Sequence, residues 1–258
     1  MTIALTREVS PAIVRCELTH LSREPIDLDR AREQHGAYEA ALEAAGCTIL
    51  RLPADPELPD SVFVEDVAIV TDELAILTRP GAVSRRPEIP AVAAALLRYR
   101  PVVAIEGEAT LDGGDVLRID RTLFVGQSRR TNAEGLTQLR RTLEPLGYSV
   151  VGVPVTRCLH LKSAVTQVRD RTVLLNPEWV APQTFEAFER IDIDPSEPHA
   201  ANALLVDGAL IFPSAYPRTR ERLEARGISV ASIDVSELIK AEGAVTCCSL
   251  VFREGVCT

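Results

Sequence analysis

The sequence predicts an α/β fold built as a closed ring of about five ββαβ units, an α/β propeller with pseudo-five-fold symmetry. Two observations carry this reading. Five paired-strand segments begin at positions 66, 115, 163, 202 and 247, so a similar shape recurs at intervals of about one propeller blade. Helical stretches, most of them followed by a further strand, fill the intervals between them.

The units read as follows. Asp66–Val70, a turn at Thr71-Asp72-Glu73 and Leu74–Thr78 form the first hairpin, followed by a helix over Glu88–Arg98 and a strand over Pro101–Ile105. Asp115–Ile119, Asp120-Arg121 and Thr122–Gly126 form the second, followed by a helix over Asn132–Leu146 and a strand over Ser149–Val153. Ser163–Val168, Arg169-Asp170-Arg171 and Thr172–Leu175 form the third. Asn202–Val206, the Asp207-Gly208 turn and Ala209–Phe212 form the fourth, followed by Arg218–Arg226 and Ile228–Ile233. Cys247–Phe252 starts a fifth. The first 52 residues supply a partial unit, with strand Thr2–Thr6, a helix near Asp27–Ala45 and strand Cys47–Leu52. Pairing of Ser249–Phe252 with Thr2–Thr6 would close the ring and remove exposed strand edges. The competing reading is an open α/β sheet, but such a chain alternates single strands with helices and fits two- and three-residue turns poorly. Nothing marks a domain boundary, so 1–258 reads as one catalytic domain.

Composition narrows the function classes. Hydrophobic residues make up 46% and charged residues 25%, as in a soluble globular protein. The net charge is −9 with no basic run, which argues against nucleic acid and suits a cationic partner. The N-terminus places Arg7 and Glu8 where a secretory segment needs apolar residues, and no apolar run is long enough to span a membrane. Six cysteines without CxxC or zinc-finger spacing read as free thiols in a reducing cytoplasm.

The repeat also locates chemistry. The points where each first strand begins converge near the ring axis and hold Glu65-Asp66, Asp112 and Asp115, His160 and Ser163, Asn202, and Cys247. A cysteine at the start of a buried strand is more often a core residue than a nucleophile. Adjacent strand residues face opposite ways, so one of Cys247 and Cys248 faces the site, and pattern alone does not choose. His160 lies between leucines, where a histidine is usually structural, yet it opens a repeat unit; a Cys–His pair would supply a thiolate and a proton donor. Asp112-Gly113-Gly114-Asp115 reads either as a tight turn or as the source of a carboxylate that orients His160. Glu65 and Asp66 interrupt an apolar run, either as buried ion pairs to Arg79, Arg85 or Arg86, or as a receptor for a planar cation. Arg85-Arg86 and Arg129-Arg130 are the available anion grips.

In order, Leu58–Asp66, Thr78–Arg86, Leu111–Asp115, Ser128–Asn132, Leu159–Ser163 and Thr246–Ser249 together resemble the dimethylarginine dimethylaminohydrolase family of the guanidine-modifying superfamily, whose fold is the five-bladed pentein. The resemblance implies a triad of Cys247, His160 and Asp112, and it selects Cys247 over Cys248. It implies guanidinium contacts at Glu65 and Asp66, a further substrate contact at Asp60, and carboxylate contacts at Arg85 and Arg130. Leu18 matches a gating-loop leucine, with Leu21 as the alternative alignment, and Ala241 a backbone contact to the substrate amino group. No cofactor or metal is expected, and a homodimer is possible. The implied reaction converts Nω,Nω-dimethyl-L-arginine and Nω-methyl-L-arginine to L-citrulline through a thiouronium on Cys247. Deimination of arginine or another guanidine, and a non-catalytic binding role on the same fold, are the alternatives. The acids beside the thiol are expected to raise its pKa in the empty site, and a bound cation to lower it.

Overall fold

The computed structural model describes residues 1–255. Cys257, read above as a free thiol, lies outside the described residues. The chain runs β1 (Thr2–Arg7), α1 (Leu28–Ala44), β2 (Cys47–Leu52), β3 (Ala68–Val70), β4 (Ala75–Leu77), α2 (Ile89–Leu96) and β5 (Val102–Ala104). It continues through β6 (Val116–Ile119), β7 (Thr122–Gln127), α3 (Ala133–Leu143), β8 (Ser149–Pro154), α4 (Leu161–Ala164), β9 (Val165–Arg169), β10 (Thr172–Leu175) and β11 (Glu189–Asp192). It ends with β12 (Leu204–Val206), β13 (Ala209–Pro213), α5 (Pro217–Glu224), β14 (Val230–Ile233), α6 (Ser236–Ile239) and β15 (Leu250–Arg253).

These strands form five three-stranded sheets, each with an antiparallel pair and a third strand added in parallel. The fifth sheet joins the two ends of the chain: β15 runs antiparallel to β1 with Ile3 opposite Phe252, and β2 pairs in parallel with β1. Ring closure through the termini is thus as the repeat predicts.

Helix ends follow local chemistry. Asp27 caps α1 by accepting the N–H groups of Asp29 and Arg30 at 3.1 Å, and Asn132 caps α3 by accepting that of Gly135 at 2.9 Å. In α3, Leu136, Leu139 and Leu143 fall on one helical face and are buried against β7 and β8 side chains Leu123, Val125 and Val150. Truncating fully buried Leu139 to alanine would remove about 2–5 kcal/mol of such packing.

Two expectations are corrected. The third unit has no α-helix between β10 and β11; Pro177 and Pro182 break the segment, and a single 3-10 turn at Pro182–Phe185 crosses it. All five first strands also begin one to three residues later than predicted. Val64–Val67 and Gly113–Asp115 are 3-10 turns, Leu161–Ala164 is one α-turn, and Val245–Cys248 is a turn. Asp66 in the first and Gly113-Gly114-Asp115 in the second favour such turns over strand pairing. Each blade is therefore topped by a turn near the axis, and these turns carry the polar side chains.

Candidate active site

The turns position the candidate residues one blade at a time. Cys247 lies in the Val245–Cys248 turn, so its orientation follows from turn geometry and not from strand alternation. It is partly exposed, whereas Cys248 is 1% exposed and packs in the apolar cluster with Ala4 and Tyr38. The turn is tied across the axis: Glu65 N–H donates to Cys247 O at 3.1 Å, and Thr246 Oγ1 donates to Glu65 Oε2 at 2.9 Å. Asn202 clamps it from the next blade, accepting Thr246 N–H at 3.1 Å and donating to Thr246 Oγ1 at 3.0 Å.

Cys247, His160, Asp66, Asp60, Arg85, Arg130 and Ala241 line one narrow cavity. Asp112 lies behind His160, wholly buried, with its Oδ2 3.0 Å from His160 Nε2. Nδ1 of the same ring lies 3.7 Å from Asp66 Oδ1. Glycine is required at 114 because a Cβ there would lie 2.5 Å from His160 Nδ1.

Electrostatics follow from burial and these acids. Burial alone would lower the His160 pKa, but Asp66, the hydrogen bond to Asp112 and the nearby Asp115 outweigh it and raise it to about 9. Burial, reinforced by Glu65 and Asp66, pushes the Cys247 thiol up to about 12. Burial opposes ionisation of Asp66, yet His160 and Arg85 hold it down at about 2. These shifts favour an imidazolium at His160 and a protonated thiol at Cys247 at neutral pH.

A stability prediction follows. Between about 6.5, the unperturbed histidine value, and about 9, the folded protein keeps a proton on His160 that the unfolded chain has released. Stability should therefore fall as pH rises through that window. Melting temperatures at pH 6.5 and pH 9 should differ more for the wild type than for His160→Gln; an unchanged difference would contradict the shift.

The two arginines differ. Arg85 is 4% exposed and bonds Asp66, both Glu88 oxygens (3.0 and 2.7 Å) and the carbonyls of Asp60 and Phe63, leaving one N–H of Nη1 free. The Asp66–Arg85 pair is one of the buried ion pairs weighed from sequence. Arg130 is less committed: Nη2 donates to Thr19 Oγ1 at 3.0 Å, and Nη1 lies 3.7 Å from Asp112.

Three residues sit outside the cavity lining. Asp112 supports His160 from behind. Glu65 pairs with Lys162 and faces the axial cavity on the opposite side, beneath the Cys247 turn. Leu18 is half-buried on the loop 17–25 and packs against the cluster containing Phe63 and Ala241. That loop is held over the site by Asp60 and by residues the sequence did not single out. The Glu242 carboxylate accepts N–H groups from Thr19 (2.9 Å), His20 and Leu21 (2.6 Å), Asp60 accepts that of Glu17, and Ser84 donates to Glu17 Oε1 at 2.6 Å. Glu242 does so from a left-handed backbone (φ 58°), for which nothing in Ala-Glu-Gly gave warning. The Arg85-x-x-Glu88 spacing, by contrast, was a readable signal of a helical-turn ion pair. Among the described residues, donor atoms of Asp66, Asp112 and His160 lie within 4.8 Å of one another and could hold a divalent cation in place of the imidazolium proton.

With this geometry in view, residues 18–186 match the family model for N,N dimethylarginine dimethylhydrolase, eukaryotic. The chain is 44% identical to the N(G),N(G)-dimethylarginine dimethylaminohydrolase of Streptomyces coelicolor over 97% of each chain. It belongs to the dimethylarginine dimethylaminohydrolase family. The enzyme of that name from Pseudomonas aeruginosa is 40% identical over 88% of this chain and 90% of its own. A Cys→Ser variant of the Pseudomonas aeruginosa protein, solved with citrulline, superposes with a TM-score of 0.93 at 37% identity, covering 96% of this chain and 98% of that one. The N-terminal domain of a cyanobacterial arginine dihydrolase shares the fold, with a TM-score of 0.88 at 20% identity and 98% of each chain covered. The family's pentein fold is thus the architecture described above. Among the described residues, Cys16, Cys47, Cys158, Cys247 and Cys248 are free thiols, and no helix is long and apolar enough to cross a membrane.

Proposed function

We propose that this family member hydrolyses Nω,Nω-dimethyl-L-arginine, and Nω-methyl-L-arginine, to L-citrulline and dimethylamine or methylamine. The observation that carries the reading is 44% identity over 97% of a relative of that name, in a chain whose cavity joins a cysteine, an imidazolium and carboxylates. The substrate carboxylate is held by Arg130 and the free N–H of Arg85, its amino group by the backbone at Ala241, and its cation by Asp66 with Asp60 nearby. Glu65 braces the Cys247 turn and adds negative potential from beneath. Leu18 and its loop close over the bound amino acid.

The substrate's positive charge offsets the acids that raise the thiol, so binding favours the thiolate. Cys247 Sγ attacks the guanidinium carbon and forms a C–S bond. The C–N bond to the methylated nitrogen breaks as His160 gives that nitrogen its proton, and dimethylamine leaves. Neutral His160, oriented by Asp112, then takes a proton from water. The resulting hydroxide attacks the thiouronium carbon, the C–S bond breaks to restore the thiolate, and the hydroxyl proton passes to solvent as citrulline is released.

We also propose a cytoplasmic site of action, supported by the free thiols Cys16, Cys47, Cys158, Cys247 and Cys248. We further propose one catalytic domain acting as a homodimer. A single calorimetric transition and a dimer mass in light scattering are expected; two transitions or a monomer mass would contradict them.

The test is citrulline release from dimethylarginine, monomethylarginine and arginine, each supplied alone. Turnover of the methylated substrates above that of arginine is expected. Equal or faster turnover of arginine would sink the substrate assignment, and no turnover of any guanidine would favour a binding role.

A further inference from the structure

Asp115 has no part in the steps above, and it lines neither cavity that borders the site. Its side chain is nevertheless fully buried, where an unpartnered carboxylate would be very costly. Both oxygens are occupied. Oδ1 accepts the N–H of Leu161, the residue after His160, at 2.9 Å. Oδ2 accepts Thr131 Oγ1–H at 2.7 Å and Ser128 Oγ–H at 2.6 Å.

The two hydroxyls pass this connection on. A carboxylate only accepts, so each hydroxyl must point its proton at Asp115 and offer its lone pairs elsewhere. Thr131 Oγ1 accepts the N–H of Asp112 at 3.2 Å, and Ser128 Oγ accepts that of Arg130 at 3.0 Å. One buried carboxylate thereby ties the backbone at three places: beside His160, at Asp112 and at Arg130. The fold makes room for it. A Cβ at Gly126 in β7 would lie 2.5 Å from Asp115 Oδ1, so the neighbouring strand approaches this oxygen only as glycine.

We propose that Asp115 is the positioning residue of this site, holding His160 through Leu161 and Asp112 through Thr131 at the separation their hydrogen bond needs. It touches no reacting atom and acts through the pair it aligns. The inference rests on the roles proposed for His160 and Asp112. Blade-to-blade alignment matters because His160 and Asp112 belong to different blades, and small misplacements of such pairs are costly: about 1 Å can lower a rate about 100-fold.

The test uses three variants with citrulline release as readout and thermal melts to establish folding. Asp115→Asn presents an N–H₂ to two hydroxyls that must then reverse, and is expected to lower kcat about 10–100-fold. Thr131→Val keeps volume but removes the hydroxyl link to Asp112, and is expected to lower kcat about tenfold with KM within about twofold. Thr131→Ser restores the hydroxyl and should restore kcat, which a packing role for Thr131 would not allow. A folded Asp115→Asn with wild-type kcat overturns the inference. So does Thr131→Val with wild-type kcat, or Thr131→Ser as impaired as Thr131→Val. If Asp115→Asn fails to fold, the Thr131 pair decides alone. An inactive wild type would overturn the proposed function and this inference together, whereas an active wild type with unimpaired variants overturns only the inference.

Discussion

Replacing Cys247 with serine is expected to lower citrulline release from dimethylarginine by at least about 10⁴-fold. A serine hydroxyl is far harder to ionise than a thiol. The cavity already penalises negative charge at this position: burial, Glu65 and Asp66 push even the thiol up to about 12. Stability should hardly change, because Cys247 is partly exposed and its turn is held by Thr246, Asn202 and Glu65, not by its own side chain. Substrate binding should persist, since none of the groups assigned to hold it is altered. Equilibrium dialysis of dimethylarginine against Cys247→Ser checks this, and loss of binding would mean that the variant had perturbed more than the nucleophile. Replacing Cys248 instead leaves the nucleophile in place and acts through packing in the core.

The second large effect is expected at Asp66, where one side chain serves both structure and chemistry. Asp66→Ala removes the ion-pair partner of buried Arg85 and the acceptor for Gly114 N–H (2.9 Å). Breaking a buried pair by deleting one member typically costs about 3–5 kcal/mol. Glu88 still pairs with Arg85 and softens that loss. Activity should fall by about 10²–10³-fold or more, because the variant loses a guanidinium contact and also the largest favourable influence on the His160 proton. With Asp66 gone, burial of His160 is less opposed, so its pKa falls and the proton for the leaving amine is lost at lower pH. The alkaline limb of kcat should therefore move down in pH. Urea midpoints together with a pH–rate profile check both halves. A stable variant with an unmoved alkaline limb would contradict the placement of Asp66 between Arg85 and His160.

How far the sequence reached depends on what kind of signal each feature leaves. The ring was legible because short turns such as Asp207-Gly208 and Asp120-Arg121 punctuate strand pairs at a steady interval. Closure through the termini was legible because strands at both ends lacked partners. Hairpin starts were placed one to three residues early, since Asp66, Asp115 and Asn202 adjoin apolar strand residues and a lone turn at a blade top leaves no periodicity. The missing helix of the third unit was masked by a general expectation of ββαβ units, although Pro177 and Pro182 argued against it.

The candidate site was legible where motifs are short and local, as in Asp112-Gly113-Gly114-Asp115 and Leu159-His160-Leu161. It was not legible where a residue works across blades. Lys162 against Glu65, Thr246 against Asn202, and the Glu242 carboxylate beneath the Thr19–Leu21 amides join segments up to 223 residues apart. Composition and spacing carry no trace of such pairings. Of the ion pairs weighed for Glu65-Asp66, the one between Asp66 and Arg85 is present, with Asp66 also lining the cavity, whereas Glu65 pairs with Lys162.

The most direct test of the central claim is to trap the intermediate. Wild-type protein mixed with excess dimethylarginine, quenched in acid within the first turnovers and measured by intact mass, should carry one substrate less dimethylamine. Peptide mapping should place that mass on Cys247, and His160→Gly should change how long the adduct persists. Steady citrulline production with no adduct at any quench time, or an adduct on Cys248, would contradict the account.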